Sequence, residues 1–138
     1  MKLKKFSSPG GGTKALDLDS EVMSKVILIV DDEPLLRVFV KTILEDHGYV
    51  VKEAATAHDA LILLDDDGID AVLTDIEMPG GMNGLDLAHM IRAMWPSKPL
   101  VVMSGRTLPR PDELPKHIPM LTKPFSPDRL VDVLRTAA

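Results

Sequence analysis

From Lys25 onward, short apolar runs alternate with stretches whose apolar residues recur at three- and four-residue steps. Val26-Ile27-Leu28-Ile29-Val30 is brief, β-branched and closed by acids, which marks a strand covered on both faces. A helix is expected next: Pro34 suits its first turn, Leu36, Phe39, Val40, Ile43 and Leu44 share one face, and Gly48 ends it. Tyr49 to Ala54 reads as a second strand, and Ala57 to Leu64 as a second helix through Ala60, Leu61 and Leu64. Ala71 to Thr74 is a third strand ending at Asp75, and beyond a Pro-Gly-Gly loop Leu85, Ala88, Ile91 and Met94 define a third helix that Pro96 closes. Leu100 to Met103 is strand four, Met120 to Thr122 a short strand five, and Pro127 to Arg135 a last helix with Leu130, Val131 and Leu134 inward. Strands alternating with helices at this pitch predict the α/β class with a doubly wound parallel sheet, because right-handed crossovers cover both faces. In such sheets ligands sit beyond the carboxyl ends of the strands, where strand order reverses.

A chain of 138 residues with 45% hydrophobic composition has material for one compact domain and a core of ordinary size. Its net charge of −5 argues against a surface built for nucleic acid, which needs clustered Lys and Arg, and points to a protein partner or a small anion. With no cysteine there is no disulfide, no thiolate metal site and no thiol redox chemistry. Apolar runs such as Val26 to Val30 are far too short to span a bilayer, and Met1 to Phe6 leads into Ser, Pro and Gly rather than an apolar signal core. A soluble, unprocessed, cytoplasmic protein with no nucleic-acid or membrane partner is expected. Residues 1–23 combine a basic start, Ser7-Ser8-Pro9-Gly10-Gly11-Gly12 and acids around Asp17, Asp19 and Glu21 without an apolar period, the composition of a flexible N-terminal tail ahead of a domain over 24–138. Within it, Gly12-Thr13-Lys14 lacks the full spacing of a phosphate-binding loop, and Met23 fits a native start.

The residues able to do chemistry gather at strand ends. Asp31 and Asp32 close strand one and Asp75 closes strand three, so neighbouring strands would bring three carboxylates together. Their mutual repulsion is relieved by a hard divalent cation, and Mg²⁺ in particular takes a few carboxylate and carbonyl oxygens while keeping waters that a phosphate can displace. A lone acid at a strand end is ordinarily structural; three at one edge are not. Lys123 ends strand five and Ser104 ends strand four. A lysine there pairs with a carboxylate at rest and with phosphate oxygens after transfer, and a hydroxyl donates to the same oxygens. Taken singly, they read equally well as an exposed lysine and a helix-capping serine.

Taken together, Ile29-Val30-Asp31-Asp32-Glu33-Pro34, Asp75-Ile76-Glu77-Met78-Pro79 with Gly84 beyond, Met103-Ser104-Gly105 and Lys123-Pro124-Phe125 give a sequence that resembles the receiver domains of two-component response regulators over about residues 24 to 136. Each motif is short, but four in order are highly specific. The resemblance implies a flavodoxin-like (βα)5 fold with strand order 2-1-3-4-5. It implies that Asp75 is the phosphoacceptor, that Asp31, Asp32, Asp75 and the main-chain carbonyl of Glu77 hold Mg²⁺, and that Ser104 and Lys123 bind the phosphoryl oxygens. It also implies a cis Lys123-Pro124 bond, which only a bond to proline adopts at modest cost. The implied donor is a phosphohistidine on a sensor histidine kinase or histidine phosphotransfer protein, docking on the first helix near Pro34, Leu35 and Arg37; Leu35 fits core and surface equally.

The chain departs from the family pattern in four places. The loop from Asp75 to Gly84 holds one residue more than usual through Gly80-Gly81, Gly105 stands in place of Ala, and Met120 occupies a position usually held by Tyr or Phe. The stretch from Ser104 to Lys123 is about one helical turn short and contains Pro109, Pro111, Pro115 and Pro119. The fourth helix is therefore expected to be short or missing, and phosphorylation to act by ordering or displacing this segment. A Glu77-Arg106 ion pair is expected to shield the acyl phosphate. His47, His58, His89 and His117 are scattered and expected at the surface, and Trp95 is expected to cap packing at a helix end. The main rival is a Mg²⁺-dependent phosphohydrolase with an aspartyl nucleophile, which would need a substrate pocket and a second acid. A nucleotide-binding domain lacks its glycine fingerprint, and a phosphorylation-incompetent receiver sits poorly with the complete residue set. With the last helix so near the end of the chain, no output domain is expected and signalling is expected to run through protein contacts.

Overall fold

Five parallel strands form one sheet: β1 (Val26–Val30), β2 (Val50–Ala54), β3 (Ala71–Asp75), β4 (Leu100–Ser104) and β5 (Met120–Thr122), in the order β2-β1-β3-β4-β5. The computed structural model describes residues 24–137 apart from 67 and 107; the tail expected over 1–23 lies outside them. Among the described residues three α-helices connect successive strands, α1 (Pro34–Asp46), α2 (Ala57–Asp65) and α3 (Gly84–Met94), and a fourth, α4 (Pro127–Ala137), follows β5. The chain leaves β1 toward β2 and returns to β3 on its other side, so strand order reverses between β1 and β3.

Alternation along the strands divides the core in two. Leu28, Val30, Val72, Leu100 and Val102 meet Ala57, Ala60 and Leu64 of α2 and Leu87, Ala88 and Ile91 of α3. Ile27, Ile29, Leu73, Val101, Met103 and Leu121 point the other way, onto Val40 and Leu44 of α1 and Leu130, Val133 and Leu134 of α4. Period-two side chains feeding two helical layers explain the near-continuous apolar runs of the central strands. Each large side chain so buried contributes roughly 1.5–3 kcal/mol, which fixes the strand ends that carry the acids.

The helix starts follow from capping. Thr56 Oγ1 accepts from the Asp59 amide at 3.0 Å, Asn83 and Asp86 exchange bonds at 2.9 and 3.3 Å, and Ser126 Oγ accepts from the Arg129 amide at 3.1 Å. Pro34 and Pro127 take first-turn positions that need no amide donor. Some expected inward residues are not covered: Phe39 and Met94 lie at the surface, and Leu35, which fitted core and surface equally, is 83% exposed. Phe39 instead meets Phe125, ring centroids 6.0 Å apart.

The four prolines act as expected. Among the described residues of 106–119 there is only a three-residue 3₁₀ turn, Pro111–Glu113. Leu114 and Ile118 from this strap pack on the α3 face of the core, where a fourth helix would otherwise supply cover. His89 Nε2 lies 2.7 Å from the Glu113 carbonyl and ties the strap to α3. Trp95 ends α3 partly buried against the same cluster.

Candidate functional site

The reversal point between β1 and β3 collects the acids. Asp31 follows β1 and is fully buried, Asp32 beside it is exposed, and Asp75 at the end of β3 is buried. One carboxylate oxygen from each lies within 4.8 Å of the others. Lys123, just past β5, reaches in with Nζ 3.0 Å from Asp31 Oδ2, 3.2 Å from Asp75 Oδ1 and 3.9 Å from Glu33 Oε1. Its backbone amide donates to the Ser104 carbonyl at 2.8 Å, which registers the lysine against β4. Ser104 is fully buried at the end of β4, one residue past Met103, the register partner of Asp75 on β3. The Lys123-Pro124 bond is cis, as the resemblance implied.

Asp31 is held at every polar atom. Its amide donates to the Ala54 carbonyl at 3.1 Å, Oδ1 accepts from the Glu33 amide at 2.8 Å, Oδ2 accepts from Lys123, and its carbonyl accepts from Arg37 Nη1. Asp75 is held far less. Lys123 Nζ meets Oδ1 as an ion-pair contact without hydrogen-bond alignment, so this buried oxygen has no hydrogen-bond donor. Burial first, and then the charge of Asp31, pushes the Asp75 carboxyl up from 3.8 to about 6; the Lys123 ammonium and the Glu77 amide pull the other way. For Lys123, burial favours the neutral form, but the Asp31 hydrogen bond and the charges of Asp31 and Asp75 outweigh it and raise its pKa.

This donor set fits a hard cation. It is all oxygen, it concentrates negative charge around one ammonium, and it includes a buried carboxylate oxygen that no donor satisfies.

The start of α3 is pressed against the same strand end. The Gly84 amide donates to the Ile76 carbonyl at 2.8 Å, and a Cβ at Gly84 would stand 1.7 Å from the Asp75 carbonyl oxygen. Only glycine permits this approach, so the residue seen in the sequence as a motif partner of Asp75 sets where β3 ends.

Not every expectation about the site holds. Glu77 is exposed, and the structure forms no ion pair between Glu77 and Arg106. Both are exposed on separate loops, where two flexible side chains gain little from pairing. Arg37, expected among exposed docking residues, has a side chain only 17% exposed and turned to Asp31 and Glu53. Sequence reasoning missed this role because the partner is a backbone carbonyl, which carries no residue signature.

The family model of the response regulator receiver domain matches residues 27–135. The chain belongs to that family, the receivers of two-component phosphorelay signalling. It is 35% identical over 115 residues to a putative NtrX-like response regulator of Rickettsia bellii, a match covering 80% of this chain and 24% of that protein. The chain thus spans about a quarter of the length of the curated relatives it first matches. Among solved structures it resembles a response regulator receiver protein from Sinorhizobium medicae, with a TM-score of 0.78 at 26% identity, covering 84% of this chain and 95% of that one. It also resembles the chemotaxis protein CheY4 of Vibrio cholerae, with a TM-score of 0.76 at 28% identity, covering 83% and 99%. Receiver domains bind Mg²⁺ at an acidic pocket and accept phosphoryl groups from histidine kinases. No helix among the described residues is long and apolar enough to cross a membrane.

Proposed function

We propose that residues 24–138 form a receiver that takes a phosphoryl group onto Asp75 from a phosphohistidine of a sensor histidine kinase or histidine phosphotransfer protein, and that it works as a switch rather than a turning-over enzyme. The observation that carries the reading is the Asp75 carboxylate at the strand-order reversal, buried, with one oxygen lacking a hydrogen-bond donor and Lys123 beside it. Asp31, Asp32, Asp75 and the Glu77 carbonyl would hold Mg²⁺, which when bound supplies charge neutralisation for phosphoryl oxygens. An Asp75 oxygen forms the new P–O bond in line as the donor's N–P bond breaks; the imidazole leaves with the electron pair and takes a proton. Lys123 Nζ and the Ser104 hydroxyl then serve the phosphoryl oxygens, so Lys123 exchanges part of its pairing with Asp31 for the product. Phosphohistidine donors are charged from ATP, which places the exchange in the cytoplasm.

A small acyl phosphate donor with Mg²⁺ tests the reading. The protein is expected to gain one phosphoryl group that hydroxylamine removes, as it does an acyl phosphate; catalytic release of phosphate over many turnovers without an adduct would favour a phosphohydrolase instead. Asp32→Ala is expected to weaken Mg²⁺ binding by about tenfold or more while leaving the metal-free fold intact, since it deletes a ligand and relieves like-charge repulsion. Calorimetric titration decides this, and an unchanged Kd removes Asp32 from the ligand set.

The output is proposed to pass through the strap. Its hold on the core is Leu114, Ile118 and the His89 contact, with only one short 3₁₀ turn among its described residues to propagate order. Amide exchange between Leu108 and Ile118 is expected to change severalfold on addition of a phosphoryl mimic with Mg²⁺. Slow exchange that stays the same in both states would contradict a strap-borne signal.

A further inference from the structure

We propose that Arg37 is a positioning residue for the acidic cluster, fixing the Asp31–Asp32 peptide so that the exposed Asp32 carboxylate faces a cation shared with Asp31 and Asp75. The inference rests on the cation-binding reading above and adds a residue to it. Arg37 Nη1 donates to the Asp31 carbonyl at 2.6 Å, and Nε donates to Glu53 Oε1 at 3.0 Å. Glu53 sits on β2 beside Ile29 of β1 and also meets Lys41 Nζ at 3.6 Å. The guanidinium thus spans from α1 to the edge strand and grips, between them, the carbonyl that opens the Asp31–Asp32 peptide. Its planar fork aims two separate nitrogens, Nε and Nη1, at the two acceptors, a fixed spacing of donors that the single nitrogen of an ammonium does not reproduce.

The need for this grip lies in the contrast between the two aspartates. The Asp31 side chain is locked by the Glu33 amide and Lys123. No group among the described residues donates to the Asp32 carboxylate, so its direction depends on its backbone, and that backbone is held at the carbonyl by Arg37. A partner of this kind, outside the ligands but orienting one, commonly changes metal affinity by about 10–100-fold when removed.

Charge and positioning predict opposite signs, which makes the proposal testable. A guanidinium near the site repels a divalent cation, so if charge alone mattered its deletion would tighten Mg²⁺ binding. Loss of positioning weakens it. Mg²⁺ titration of the full chain by calorimetry is expected to show Kd raised about tenfold in Arg37→Ala, raised less in Arg37→Lys, and near the wild-type value in Glu53→Gln, which keeps an acceptor for Nε. Glu53→Ala, which frees the guanidinium, is expected to weaken binding beyond Glu53→Gln, which loses the same charge but keeps the acceptor; that difference carries the test if Arg37→Ala fails to fold, and its absence counts against the proposal. An Mg²⁺ Kd in these alanine variants equal to or tighter than wild type overturns the proposal, whatever happens to the melting temperature. Absence of Mg²⁺ binding by the wild-type chain would instead overturn the cation reading beneath it.

Discussion

Gly84→Ala is expected to be among the most damaging single-methyl changes available to this protein. The added Cβ would lie 1.7 Å from the Asp75 carbonyl oxygen and 2.6 Å from both the Asp75 carbonyl carbon and Ile76 Cα. All three are backbone atoms of a central strand and its exit, so no flexible side chain can yield. Either the α3 start or the end of β3 must retreat until the contact exceeds 3.0 Å. Overpacking of this kind costs about 3 kcal/mol, at the upper end of the usual range, which for a domain of this size lowers Tm by roughly 10 °C. Function should fall further than stability. Asp75 sits at the displaced point, and a misplacement of about 1 Å in a reacting group costs on the order of 100-fold in rate. Thermal melts and initial rates of phosphoryl uptake check both parts. Gly105→Ala is the control: its Cβ would meet Lys123 Cδ at 3.5 Å, an ordinary contact, and little change is expected. A Gly84→Ala protein with wild-type melting and uptake would show that the approach of α3 to β3 is not rigid.

The sheet and the acids were legible in the sequence for a shared reason. Strands buried on both faces appear as short β-branched runs, and a run such as Val26 to Val30 that ends in Asp31-Asp32 shows where the carboxyl edge lies. The short 3₁₀ turn in place of a fourth helix was legible because proline acts locally: Pro109, Pro111, Pro115 and Pro119 leave no uninterrupted stretch over which a helix could propagate. Features set by tertiary packing were hidden. Phe39 and Met94 lie on apolar periods yet remain at the surface, because periodicity does not say how wide a helix face the sheet covers. That Leu114 and Ile118 take over the cover of α3 follows from the path of the strap, not from any pattern in it. Arg37 was legible as a charge on α1, but its reach to the carbonyl of Asp31 just past β1 and an acid on β2 depends on how three elements meet.

Asp75→Asn is expected to remove phosphoryl uptake entirely while making the metal-free protein more stable. The folded carboxyl titrates near 6 against 3.8 ordinarily, with burial the main cause and Asp31 the next. The native state therefore holds this proton more tightly than the unfolded chain. Its contribution to stability is complete below about pH 4 and lost as pH rises through about 6, a loss on the order of 3 kcal/mol. Asparagine, like the protonated acid, has no charge to desolvate. The stability gap between Asp75→Asn and wild type in chelator should thus open in favour of the variant as pH rises from about 4 to about 7, and Mg²⁺ should narrow it.

Uptake itself is the most direct test of the role assigned to Asp75. Intact mass spectrometry after incubation with a small acyl phosphate donor should show one phosphoryl adduct on the wild-type chain with Mg²⁺, little without it, and none on Asp75→Asn in either condition. An adduct on Asp75→Asn at the wild-type extent would contradict the account.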